Sequence, residues 1–157
     1  MKLTLGQVQE ALGLSRDAYR HWQTVLPPLA IRKGRKPCFS HGDLLALAIV
    51  KVLVDDIGAP VSKLESVASA LFGQCSQQPW AKFERQLALV IPGTWDLSFV
   101  ADNQTLSPGR AVIAIPCAPV IASLRAALMV EQTDEPQAPL RFPLAAIERR
   151  SAGGDNS

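Results

Sequence analysis

The chain has 157 residues, 48% of them hydrophobic and 19% charged, with a formal net charge of +2. Those values suit a folded protein with one core or two small ones and exclude wholesale disorder, which requires low hydrophobicity and high net charge. The small total conceals a gradient: residues 1–42 hold seven Lys and Arg against two acidic residues, a net +5, whereas residues 76–157 hold seven against eight, so a polyanion would meet the N-terminal end.

Three helix starts carry the same signature, a hydroxyl followed three residues later by a side-chain acceptor: Thr4 with Gln7, Ser40 with Asp43, and Ser62 with Glu65. A first helix runs from Thr4 to Leu12, burying Leu5, Val8, Ala11 and Leu12, and stops at Gly13, which can adopt a left-handed backbone. Ser15 caps a second helix almost at once, and so tight a turn forces the two to cross steeply, as in a helix-turn-helix. Along that helix Ala18, Trp22, Val25 and Leu26 share one face, leaving Arg16, Arg20 and Gln23 on the other, flanked by Asp17, His21 and Thr24. Pro27 and Pro28 end it, since neither offers a backbone donor.

After the prolines, Ala30 to Arg32 and Pro37 to Phe39 are expected to pair as a small ribbon around Lys33-Gly34-Arg35-Lys36. A third helix is expected over Ser40 to Ile57, stopped by Gly58, and a fourth over Ser62 to Phe72, stopped by Gly73. The apolar run Leu44 to Val54 contains Lys51 and is shorter than the roughly 20 residues of a bilayer span, so it reads as a core helix.

The polar, proline-terminated stretch 74–79 suggests a boundary between an N-terminal domain, 1–75, and a smaller unit, 80–130. In the latter, Leu87 to Ile91 is apolar, Pro92-Gly93 is a turn signal, and Trp95, Leu97 and Phe99 alternate with polar residues, which together describe a β-hairpin. Ala111 to Ile115 reads as a further strand, and a helix after Pro119 aligns Val120, Ile121, Leu124 and Leu128. Residues 131–157 read as an acidic, proline-containing linker and a largely disordered tail. The expected class is therefore α+β: a mainly α N-terminal half with a small β wing, and a small mixed α/β unit behind it.

Cys38, Cys75 and Cys117 stand far apart with no CxxC and no cationic, apolar leader before them, so a reduced cytoplasmic setting is the simplest reading, with no metal and no cofactor expected. The two histidines, His21 and His41, both lie in the N-terminal half, and GxSxG, HExxH, P-loop and GxGxxG patterns are lacking, so no catalytic role is expected.

Thr4-Leu-Gly-Gln-Val, Leu14-Ser15, Tyr19-Arg20-His21-Trp22, Arg32-Lys-Gly-Arg-Lys-Pro-Cys-Phe39, Asp43 opening an apolar helix, and Gly58 followed by Val61 to Leu64 recur in an order and spacing that resemble the MerR-type winged helix-turn-helix family. The likeness covers about the first 75 residues. It departs at His21, where an aromatic is usual, and in lacking the long C-terminal dimerisation helix of many members. The resemblance implies that helix two enters the major groove and that a basic wing touches the flanking backbone, with Arg35 as the wing cation and Phe39 as its aromatic anchor. Ser15, Arg16, Tyr19, Arg20, His21, Arg32, Lys33, Arg35 and Lys36 are the expected DNA-binding residues. Arginines reach guanine edges or phosphates, Tyr19 and His21 divide between packing and phosphate contact, and Trp22 and Phe39 belong to the core.

The expected function is a cytoplasmic, nucleoid-associated transcriptional regulator that binds duplex DNA sequence-specifically as a homodimer. Ala111 to Ile115 and Val120 to Leu128 would supply apolar surface for self-association or a protein partner. Two alternatives stand beside it: an architectural protein of the excisionase or packaging type, which shares this module, and a scaffold that the N-terminal domain merely tethers to DNA.

Overall fold

A computed structural model describes residues 2–32, 36–106 and 109–134. Chain order is β1 (Leu3–Thr4), α1 (Leu5–Leu12), α2 (Arg16–Val25), α3 (Pro27–Ala30), β2 (Cys38–Phe39), α4 (His41–Asp55), a 3₁₀ turn (Val61–Lys63), α5 (Glu65–Cys75), α6 (Trp80–Phe83), β3 (Gln86–Ile91), β4 (Asp96–Ala101), β5 (Ile113–Pro116) and α7 (Cys117–Asp134). The class is mixed α+β with small sheets. None of the described helices is long and apolar enough to cross a membrane.

Capping decides where several helices begin. Thr4 and Gln7 exchange hydrogen bonds as a capping box, with the Gln7 amide donating to Thr4 Oγ1 (3.2 Å) and the Thr4 amide to Gln7 Oε1 (2.9 Å). Ser40 and Asp43 repeat the device at α4. The third expected box does not form. Ser62 lies inside the 3₁₀ turn, and α5 starts three residues later behind Leu64 with no side-chain cap. Leu64 is fully buried, so packing sets that start in place of a hydroxyl. Gly73 does not stop α5 either, which continues to Cys75.

The expected ribbon also takes another form. Pro27 and Pro28 end α2 and occupy the first two positions of α3, where a missing donor costs nothing, so Ala30 is helical and Ile31 and Arg32 form a turn. Cys38 and Phe39 pair instead with Thr4 and Leu3, antiparallel, which ties the segment after the basic loop to the start of α1.

The core is built on α4. Leu44 to Val50 and Leu53 are all buried, so this helix is covered nearly all round by α5, α1, α6 and β2. In the three-stranded sheet, of order β4-β3-β5 and antiparallel throughout, Ala88 faces Phe99 and Ile115 while Val90 faces Leu97 and Ile113. Those six side chains share the inner face, and Phe99 meets Phe83 of α6 with ring centroids 5.0 Å apart. The hairpin turn at Pro92-Gly93 stands where the sequence puts it.

Packing crosses the polar stretch 74–79. Trp80 Nε1 donates to the His41 carbonyl (2.8 Å), and the two rings meet edge to face at 5.3 Å. Residues 1–124 cluster as one compact unit and 125–157 as a second. Of the second unit the structure describes the continuation of α7 through Asp134, so residues 131–134, expected to open a linker, are helical. The remainder of that linker and the tail lie outside the described residues.

Candidate nucleic-acid interface

The link between α1 and α2 is three residues, Gly13-Leu14-Ser15, each with a defined task. Gly13 is left-handed (φ 63°), and the Gly13 and Leu14 amides close the end of α1 on the Glu10 and Gln9 carbonyls at 3.2 and 2.9 Å. Leu14 is buried, and Ser15 Oγ accepts from the Ala18 amide at 3.1 Å. Ser15, expected at the DNA, is thus engaged as the cap that starts α2.

The faces of α2 separate sharply. Tyr19 and Trp22 are buried, followed by Leu26, while Arg16, Asp17, Arg20, His21 and Thr24 are exposed. Arg16 and Arg20 are one helical turn apart, and neither makes an ion pair with a described residue. Lys36 is exposed, whereas Lys33 and Arg35 lie outside the described residues.

Arg32 corrects the sequence expectation. Expected in the basic wing among the DNA-contacting residues, it instead folds inward: Nη2 bonds Asp43 Oδ2 at 3.1 Å, and the guanidinium lies 4.8 Å from the Phe39 ring centroid and 5.4 Å from that of Phe72. The side chain retains 22% exposure. Because α3 turns the chain back after the prolines, the arginine reaches a carboxylate and two aromatic faces, a combination that suits a planar, weakly hydrated cation. Asp43, expected only as a helix cap, has a second role here. Oδ2 serves both partners, accepting from Ser40 N as well as from Arg32.

Tyr19, expected to divide between packing and phosphate contact, has its ring packed: the residue is 3% exposed and the ring lies edge-on to Phe39 at 6.5 Å. Its hydroxyl is buried without a hydrogen-bond partner among the described residues, and so is Nη1 of Arg32. Burial raises the Tyr19 pKa above its ordinary value, a shift opposed by the nearby Arg32 charge, so the phenol stays protonated.

Arg16, Arg20, Tyr19 and Arg32 meet, with Gln9 and Gln23, around an open cleft of about 430 Å³ between α1, α2 and Pro37. Among the described residues no carboxylate lines it. By contrast, the groove between α1, α4 and the start of α7 holds the Lys51–Asp55 ion pair (2.7 Å) and Asp56, so it offers a polyanion no net attraction. Three arginines and two side-chain amides around one concavity suit phosphate oxygens and base edges.

The thiols give no sign of chemistry at this face. Cys38 is exposed, whereas Cys75 and Cys117 are buried. Burial, reinforced by the neighbouring Cys117 and Asp43, pushes the Cys75 thiol up to about 12. Burial also lifts Cys117 to about 11, opposed by the Ala88 backbone. Reaction of the folded protein with a thiol dye at mildly alkaline pH is therefore expected to label Cys38 alone at once, with Cys75 and Cys117 reacting only as the chain unfolds. Among the described residues no three His, Cys, Asp or Glu side chains are grouped to hold a metal.

No protein-family model matches this chain, and no curated protein matches it significantly.

Proposed function

We propose that the protein is a sequence-specific duplex-DNA-binding regulator of the winged helix-turn-helix kind, in which α2 enters the major groove and the basic segment 32–36 meets the flanking backbone. The observation that carries the reading is the exposed Arg16–Arg20 face of α2, without an ion pair among the described residues, held at a fixed angle by a three-residue turn and bordering a cleft whose described lining holds no carboxylate. Arginines placed one helical turn apart span adjacent base or phosphate positions, and their rigid forks match guanine edges. Arg32 takes part from the wall of that cleft while anchoring the fold through Asp43. Because one module of this size supplies limited affinity, a two-fold dimer on paired half-sites completes the reading, and light scattering with and without duplex tests it.

Salt dependence follows from the charge gradient. With about five phosphates neutralised by the N-terminal cations, the logarithm of the binding constant should fall against that of salt with a slope near −4.5. The exposed Lys36, replaced by alanine, should reduce that slope by about one and weaken all sequences alike. A salt-independent affinity would remove the polyanion from the proposal.

A further inference from the structure

Resting on that DNA-binding reading, we propose that the Tyr19–Arg32 corner of the cleft is a dedicated seat for one backbone phosphate, in which the buried phenol and the free guanidinium nitrogen both donate to its oxygens.

Tyr19 Oη and Arg32 Nη1 are both buried, and neither has a hydrogen-bond partner among the described residues. Both side chains flank Phe39, Tyr19 edge-on to the ring and Arg32 over its face. Both also line the cleft that Arg16 and Arg20 border. Arginine has donors only, so another donor cannot satisfy Nη1; the missing group is an acceptor. Tyr19 is held protonated by its burial and offers a second donor. The Asp43 carboxylate is already committed to Arg32 Nη2 and the Ser40 amide. An incoming acceptor therefore meets an arginine that is fixed in place and partly neutralised, not a mobile cation. A tetrahedral anion presenting several oxygens suits this geometry, and Arg16 and Arg20 at the rim balance its charge. Such a contact carries no sequence information. It sets the register in which α2 presents its exposed arginines.

Tyr19→Phe tests this, because it keeps the ring against Phe39 and deletes only the hydroxyl. Removing a buried group without a partner should hold or raise the melting temperature. Loss of a hydrogen bond to a charged ligand should nevertheless weaken binding about tenfold. The loss should be equal on two duplexes of unrelated sequence, with an unchanged salt slope because no charge is removed. The full chain and the variant are titrated with both duplexes, Arg20→Ala is run in parallel, and thermal unfolding is followed with and without inorganic phosphate. A variant at least as stable as the parent and weakened on both duplexes supports the seat. Unchanged duplex affinity in Tyr19→Phe, with Arg20→Ala impaired, overturns the seat and leaves the DNA reading standing. Thermal stabilisation by phosphate that Tyr19→Phe abolishes, alongside unchanged duplex affinity, overturns the duplex source in favour of a free phosphoryl compound. A parent chain that binds neither duplex overturns the DNA reading and the seat with it.

Discussion

Replacing Asp43 with alanine is expected to lower the free energy of unfolding by about 3 kcal/mol. Its Oδ2 accepts from the Ser40 amide at 2.9 Å and from Arg32 Nη2 at 3.1 Å, so one substitution removes half of a capping box and the partner of a largely buried cation. The capping contribution is about 1 kcal/mol. Stranding a fully buried charge costs roughly 3–5 kcal/mol, but solvent reaches 22% of the Arg32 side chain, which cuts this share to about 2. Asp43→Asn keeps an acceptor for Ser40 while losing the charge, and should fall between parent and alanine. Adding Arg32→Met to Asp43→Ala should recover part of the loss, since an apolar chain suits the space between Phe39 and Phe72. Urea unfolding decides it: a loss under about 1 kcal/mol for Asp43→Ala would make the ion pair incidental.

Gly42→Ala should destabilise the fold by about 3 kcal/mol, although helix propensity alone favours alanine by about 1. A Cβ at Gly42 would lie 2.8 Å from both the Cys75 carbonyl carbon and Ser76 Cα, and backbone atoms cannot rotate aside. At Gly42 the first turn of α4 meets the backbone of Cys75 and Ser76 at the end of α5. Gly73 supplies the control: it is helical, without a positive φ, and a Cβ there meets nothing within 4 Å. Gly73→Ala is accordingly expected to stabilise by about 0.5–1 kcal/mol. Opposite signs at two helical glycines separate packing from propensity, and thermal melts of both variants would reveal equal signs if the close approach were absent.

These two sites also mark where the sequence stops being readable. Local chemistry spoke clearly: the Thr4 and Ser40 boxes, the Gly13 stop, the Pro27-Pro28 break and the Pro92-Gly93 hairpin each depend on neighbours within a few residues, and each stands where its motif puts it. Long-range relations were silent. Nothing near Gly42 signals that Cys75 lies against it, and nothing in Arg32 distinguishes it from Lys36 except a carboxylate eleven positions away that had already been assigned a cap. Leu64 replaced Ser62 at the start of α5 because tertiary burial outweighs a capping preference worth about 1 kcal/mol. Along α2, helical periodicity alone puts Arg16, Arg20 and His21 on the outer face, where they are exposed, yet leaves Tyr19 open to either fate. Phe39, brought in by the pairing of β2 with β1, meets that ring edge-on, a contact between residues twenty positions apart.

The most direct test of the central claim is selection of bound fragments from a random duplex library by the purified chain, with Arg20→Ala run alongside. The expected result is an enriched two-fold motif, with Arg20→Ala losing about 1–3 kcal/mol of discrimination at one base pair of each half-site. No enrichment over the input by a chain that is folded and free of nucleic acid would contradict α2 as a sequence reader.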